Sequence, residues 1–256
     1  MLVSATAAAE RTITITGSST LAPVVAEIAK RYEAAHANVR IDVHTGGSSR
    51  GIADVRAGRA QIGMVSRSLA ADEADLVPHP VARDGIACIV HDANRVDGLL
   101  RQQVIDIFAG RMTSWSDASG TGGAIVVVSK AEGRATLELF CAHFGLRPAE
   151  IAAQVIIGDN AQGLKTVAGN RAAIGYVSIG AAEAESEAGV PIRLLGLGGM
   201  APTTAAVRDG TWPIARDLLL VTKGEPAGEA ADFIAFARSP AVDDLIAEQF
   251  LVPPRR

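Results

Sequence analysis

The chain has 256 residues, enough for one large domain or two modest lobes with a real core. With 48% hydrophobic and 20% charged residues it lies well outside the low-hydrophobicity, high-charge regime of disorder, and a net charge of -4 offers no bulk positive field to a polyanion such as DNA. Aromatic residues, at 4%, exclude a base-stacking platform and a broad aromatic sugar-binding surface, so the expected ligand is small and polar.

The opening stretch, MLVSATAAAE, has the small-residue texture that ends a secretory signal without the charged and apolar regions that precede it, and it reads as a trimmed leader replaced by Met1. A floppy cytosolic N-terminus is the alternative. TITIT at 12–16 then alternates as a strand, and Leu21, Val24, Val25, Ile28, Ala29 and Tyr32 fall on one face of a 3.6-residue period, as in a helix packed flat on a sheet. VRIDVHT at 39–45 is a second strand. Further strands are expected at QIGMVS, DGIACIV, AIVVVS, AAIGYVS and DLLLVT, and helices at 51–58, 101–109, 134–144, 163–169 and 228–248. This alternation is an α/β signature. Cys88 and Cys141 each sit in an apolar run and read as small buried hydrophobes rather than a disulfide. No stretch reaches the roughly 18 uninterrupted apolar residues of a spanning helix, so the chain is expected to be soluble. The Gly-rich segment LLGLGGMAPTT at 194–204 is the most turn-like and is expected to carry the chain between lobes.

Three strands lead into turns rich in glycine and hydroxyl groups, each followed by a helix. The first turn holds Gly17, Ser18, Ser19 and Thr20; the second Gly46, Gly47, Ser48 and Ser49; the third Lys130, Gly133, Arg134 and Thr136. Such a turn aims backbone N–H groups and the positive end of a helix dipole at one point, as a small anion requires. Ser and Thr are favoured N-caps whatever a protein does, so each turn alone also reads as an ordinary cap. Three of them at the carboxyl ends of strands point to anion binding. Arg50, Arg67, Lys130 and Arg134 lie nearby, and Arg67, directly after a strand, is the best placed to offer its planar fork to a tetrahedral oxyanion, unless it pairs with Asp72 or Glu73. His44 is the only histidine near a candidate site and reads as a solvent-facing strand residue. The sequence has no HExxH, GxSxG, GxxxxGK[ST] or dinucleotide fingerprint, which speaks against an enzyme acting on phosphate esters.

The strings TITGSSTLAPVV, TGGSSRGI, IGMVSRSL, VARDGIACIV, IFAGRMTSW, IVVVSKAEGRATLELF, AGNRAAIGYVSIG and WPIARDLLLVTKGEP, in this order and spacing, resemble the phosphate-binding substrate receptors of the Pst type of ABC importer. The resemblance implies a type II periplasmic binding protein fold: two lobes, each a central β-sheet flanked by helices, with the ligand cleft between them. One lobe would be built from 1–91 and 191–256, the other from 92–190. It also implies a periplasmic monomer that binds phosphate for a membrane permease, needs no cofactor, performs no catalysis and takes no nucleic acid. The implied phosphate contacts are Ser19, Thr20 and Leu21 in the first turn, Ser48 or Ser49 in the second, Ser66 with Arg67 in the third, and Lys130, Arg134, Ala135 and Thr136 in the middle lobe. Related chains commonly carry an arginine followed by Ser-Gly-Thr there, whereas this chain has Lys130, with Arg134 and Ala135 in place of the Ser-Gly pair. Some also have an aspartate where Arg67 stands, which accepts the proton of monohydrogen phosphate and repels sulfate. Asp84 is the nearby acceptor here, unless it serves only as a turn residue bonded to local backbone. These departures leave open a receptor of the same architecture for another oxyanion or small anion, such as sulfate, a phosphonate or an organic phosphate, or one with a sensing role.

Overall fold

The computed structural model of the chain describes residues 11–118 and 122–254, so the leader-like stretch 1–10 lies outside the described residues. The alternating segment RTITITG forms β1 (Arg11–Gly17), followed by α1 (Ala22–Ala35), whose stripe from Leu21 to Tyr32 is buried as the 3.6 period requires. Next come β2 (Val39–Thr45), α2 (Ser48–Arg56), β3 (Ile62–Val65), β4 (Leu76–His91), β5 (Gly98–Leu99) and α3 (Arg101–Phe108). The middle of the chain supplies β6 (Val126–Lys130), α4 (Ala135–Phe144), β7 (Val155–Ile157), α5 (Asn160–Ala168), β8 (Ala173–Ser178) and α6 (Ile179–Glu187). It closes with β9 (Ile192–Leu194), β10 (Gly196–Leu197), α7 (Thr204–Asp209), β11 (Ala215–Lys223), α8 (Gly228–Ala237) and α9 (Asp243–Glu248).

A nine-stranded sheet runs β2-β1-β3-β11-β4-β8-β6-β7, with β9 also on β4. β4 is the spine. Its first half pairs antiparallel with β11, and its second half, from Ile86, pairs with β8 and β9. Helices cover both halves, over one core containing Ile15, Val25, Met64 and Phe233 and another containing Phe108, Phe140, Tyr176 and Trp212. The chain passes between halves in mid-strand, at Asp84 and Gly85 on β4, and returns beside them, where Ile86 N–H donates to Ile214 O and Ala215 faces Gly85. Residues 191–214, expected with the first lobe, belong by pairing and packing to the other half: β9 joins β4, β10 joins β5, and Leu195, Trp212 and Ile214 enter the core of Phe108 and Tyr176.

Other differences have local causes. β4 begins eight residues before the expected DGIACIV strand, because Pro78 and Pro80 disguise a stretch that pairs with β11 on one side and, among the described residues, carries only the isolated bridge from Arg83 to Val252 on the other, so that proline is tolerated there. The helix expected over 228–248 breaks at Ser239 and Pro240, since proline can neither donate nor fit a helix interior. α6 was not expected: IGAAEAESE has no apolar stripe, and only Ile179, Gly180 and Ala182 are buried. Cys88 and Cys141 are buried free thiols.

α2 lies so close to the sheet that a Cβ on Gly51 would meet Thr16 O at 2.7 Å, Gly17 Cα at 3.0 Å and Met64 O at 3.1 Å. Replacing a helical glycine by alanine ordinarily gains up to about 1 kcal/mol. Here the obstruction is backbone, and Gly51→Ala is expected to cost about 2 kcal/mol, lowering the melting temperature by roughly 4–8 °C in a calorimetric scan.

Candidate functional site: an oxyanion cavity

The three turns meet. Gly17, at φ 135°, accepts on its carbonyl from Gly46 and Gly47 N–H, both at 2.9 Å, which fastens the second turn to the first. Ser48 Oγ accepts from Ser66 N–H at 3.1 Å, which adds the segment after β3. From the other half, the turn before α4 packs so tightly on the second that a Cβ on Gly47 would lie 2.9 Å from Gly133 O and 3.0 Å from Arg134 Cδ. Gly47 itself stands at φ 93°, a conformation that favours glycine.

α1, α2 and α4 start at this junction, and none has a side-chain cap, whereas α5, α6 and α7 are capped by Asp159, Ser178 and Thr203. The second and third turns therefore do not cap their own helices, while in the first Ser18 Oγ accepts from Thr20 N–H at 3.2 Å ahead of α1. Residues of all three turns line a small, tight cavity, with Ser18, Ser19 and Thr20 from the first turn, Gly47 and Ser48 from the second, Ser66 beside them, and Lys130, Arg134, Ala135, Thr136 and Gly158 facing them. Helix N-termini leave N–H groups unpaired and carry partial positive charge, so three of them with two cations make a strongly anion-selective wall. No carboxylate among the described residues lines it. The larger groove alongside, about 360 Å³, shares Ser19 and Thr20 but holds no Lys or Arg and includes Asp159 and Glu185, so the anion chemistry belongs to the smaller cavity.

Behind this wall stands Arg216, 6% exposed. It lies opposite Asp84 in the β4–β11 ladder and donates to Asp84 Oδ2 at 3.0 Å. It also donates to Ser66 O at 3.1 Å and to Thr136 Oγ1 and Thr20 Oγ1 at 3.2 Å each, while its buried Nε has no partner among the described residues. Burial works against its charge, and Asp84 offsets that. Lys130, 4% exposed, donates from Nζ to Asn160 Oδ1 at 2.9 Å, and Asn160 Nδ2 donates to Thr20 Oγ1 at 3.2 Å across the cleft. Burial, then the charges of Arg216 and Arg134, pull the Lys130 ammonium down to about 7 against the opposing pull of Asp159.

Of the residues expected to hold an anion, Ser19, Thr20, Ser48, Ser66, Lys130, Arg134, Ala135 and Thr136 come together around the cavity. Four do not line it. Ser49 is exposed on α2, so of the Ser48 and Ser49 pair Ser48 faces inward. The Leu21 side chain is buried in the first core, where the helix stripe needs it. Asp84 is occupied by Arg216 and by Gly180 N–H at 3.4 Å. Arg67 turns away to Glu73, at 2.7 and 2.8 Å, and its Nε lies 2.6 Å from Glu138 Oε2 on α4, so its fork is already filled by carboxylates. This ion pair holds Glu73 below the usual carboxylate range. His44 is exposed, as expected. Sequence reasoning missed Arg216, which directly precedes the expected DLLLVT strand and was given no role. The signal is its phase: Arg216 alternates with Asp217 on the buried side of a strand that continues through Leu218, and an inward-facing arginine is rarely idle.

A family model described as a PBP superfamily domain matches residues 3–241. The phosphate-binding protein PstS of Bacillus subtilis is 26% identical over 250 residues, covering 96% of this chain and 81% of that protein. Among solved structures, a putative phosphate ABC transporter substrate-binding protein with bound phosphate from Clostridium perfringens superposes with a TM-score of 0.89 at 30% identity, over 96% of this chain and 100% of the other. An ABC-type phosphate transport receptor from Vibrio cholerae gives 0.78 at 28%, over 94% and 100%.

Because Lys130 titrates near 7 in the fold against 10.5 ordinarily, the unfolded chain holds more protons between those values, and the cost of burying this side chain grows as pH falls from 10.5 to 7 and is constant below. Lys130→Met is expected to stabilise the ligand-free protein at pH 7, with the gap from wild type widening by about 2 kcal/mol between pH 9 and pH 7 in denaturant titrations.

Proposed function

The chain belongs to the PBP superfamily, among its PstS-like phosphate receptors, and from that membership we propose that it binds inorganic phosphate as the substrate-binding component of an ABC-type importer. It is a receptor and not an enzyme. The observation that carries the reading is the meeting of three uncapped helix N-termini with Lys130 and Arg134 around one cavity that no carboxylate lines among the described residues. A dianion there replaces the missing caps and neutralises buried cations, both of which favour the closed arrangement.

The two lobes of this receptor are 11–84 with 215–254, and 86–214. The first contributes Ser19, Thr20, Ser48 and Ser66, the second Lys130, Arg134, Ala135 and Thr136. Closure brings Asn160 to Thr20, Thr136 to Arg216 and Glu138 to Arg67. Ligand held by either lobe recruits donors from the other, water leaves, and the closed surface is what the permease recognises. Arg67 acts as a latch between lobes rather than as a ligand, and Asp84 sets the position of Arg216. The receptor works outside the cytoplasm, as a monomer without a nucleic-acid partner. Among the described residues no helix is long and apolar enough to cross a membrane.

Calorimetry with phosphate-stripped protein tests the assignment. Arg134→Ala removes a cavity-lining, charge-assisted donor and is expected to weaken phosphate binding about 30-fold. Arg67→Ala is expected to weaken it by no more than about fivefold, through faster dissociation alone, as suits a partly exposed ion pair. A larger loss for Arg67→Ala than for Arg134→Ala reverses the two roles. Binding of arsenate with phosphate, ahead of sulfate, phosphonates and small carboxylates, is the expected ligand order.

A further inference from the structure

One hydroxyl on the cavity wall has no freedom left. Thr20 Oγ1 accepts from Arg216 Nη2 and from Asn160 Nδ2, each at 3.2 Å, the first within its own lobe and the second from across the cleft. A hydroxyl has two lone pairs and one proton, so both lone pairs are filled and only the proton remains to offer. Other lining hydroxyls are less committed: among the described residues Thr136 Oγ1 accepts only from Arg216, and Ser18 Oγ only from Thr20 N–H.

The direction of the Asn160 amide follows from its other neighbour. Lys130 Nζ donates to Asn160 Oδ1 at 2.9 Å, and as a cation of the cavity it has no lone pair with which to accept. The amide must therefore turn its oxygen to Lys130 and its NH2 to Thr20. Arg216, at the other end, is likewise a donor only. Two cations thus impose one polarity on the chain from Lys130 through Asn160 to Thr20, and bonds polarised in the same sense strengthen one another. Asn160 itself is buried and stands outside the lining of the anion cavity.

We propose that Asn160 is a positioning residue that makes the Thr20 hydroxyl an obligate donor to the bound oxyanion, and that it does so only on closure. In the open form Thr20 keeps its bond from Arg216 and one free lone pair, so its hydroxyl can donate or accept. Closure seats the Asn160 NH2 on that lone pair and leaves the O–H to the cavity that Thr20 lines. An anionic oxygen is the acceptor that satisfies it, so the ligand completes a chain that the protein alone leaves one partner short. Asn160 touches no ligand atom and acts through Thr20.

This inference rests on the proposed phosphate function, and its test separates the two. Calorimetry with phosphate at pH 7 measures what Thr20→Val costs in three backgrounds. In the wild type the cost is expected to be about tenfold in affinity. In Asn160→Asp the new carboxylate still receives Lys130 but draws the Thr20 proton to itself, so Thr20→Val is expected to cost less than about twofold there. The added negative charge weakens phosphate in both members of that pair and cancels from the comparison. In Asn160→Ala the hydroxyl regains its choice of partner, and the cost is expected to be about threefold. Asn160→Leu, of nearly the same shape, stands in if the alanine variant does not fold. An unchanged tenfold cost in the variant backgrounds shows that Asn160 does not direct the hydroxyl and overturns the proposal. A larger cost in Asn160→Asp than in the wild type shows that the contact only ties the lobes together, and overturns it as well. If Asn160→Asp binds too weakly to measure, the alanine or leucine pair decides by the same criterion. A wild-type protein that does not bind phosphate overturns the proposed function, and this inference with it.

Discussion

The site is organised by one buried ion pair. Arg216 and Asp84 face each other across the β4–β11 ladder at the point where both strands pass from one half of the molecule to the other. From there the guanidinium reaches Thr20 and Ser66 on one side and Thr136 on the other. Such a pair gains little net stability, because desolvation consumes most of the Coulombic attraction. What it supplies is geometry: a planar, permanently charged fork whose bonds fix three turns relative to one another. Remove either partner and the other is left as an isolated charge in the interior, so the two have to be kept together.

Around that pair the protein concentrates positive potential in a chain whose net charge is -4. Lys130 and Arg134 at the cavity and Arg216 behind it oppose one another, and three helices begin there without side-chain caps. Each of these is a cost to the fold without ligand, of the kind functional sites commonly carry. An oxyanion removes all of them together, which couples occupancy to closure without a separate trigger.

Much of this was legible in the sequence. The glycine and hydroxyl turns at 17–20, 46–49 and 130–136 announced themselves, because a local pattern of strand, turn and helix has local causes. What escaped depended on distant partners. Arg67 read either as a ligand or as the partner of Asp72 or Glu73; Glu73 takes the fork, and only the approach of Glu138, on another strand-turn-helix unit, to its Nε had no local sign. Arg216 was hidden inside an ordinary strand, and only its inward phase hinted at a buried charge. The passage between lobes was sought in a glycine-rich loop, where composition suggests one. The structure shows the sheet itself crossing between its two halves in the middle of β4, where pairing changes from β11 to β8, and composition gives no sign of it.

The position of β11 has a bearing on biosynthesis. It lies between β3 and β4, so these two strands, made early, have no direct pairing and remain apart until 215–223 emerge from the ribosome. The first lobe is thus unfinished for most of translation, with two strand edges unmatched, and a message truncated before that segment yields a product that cannot close its sheet.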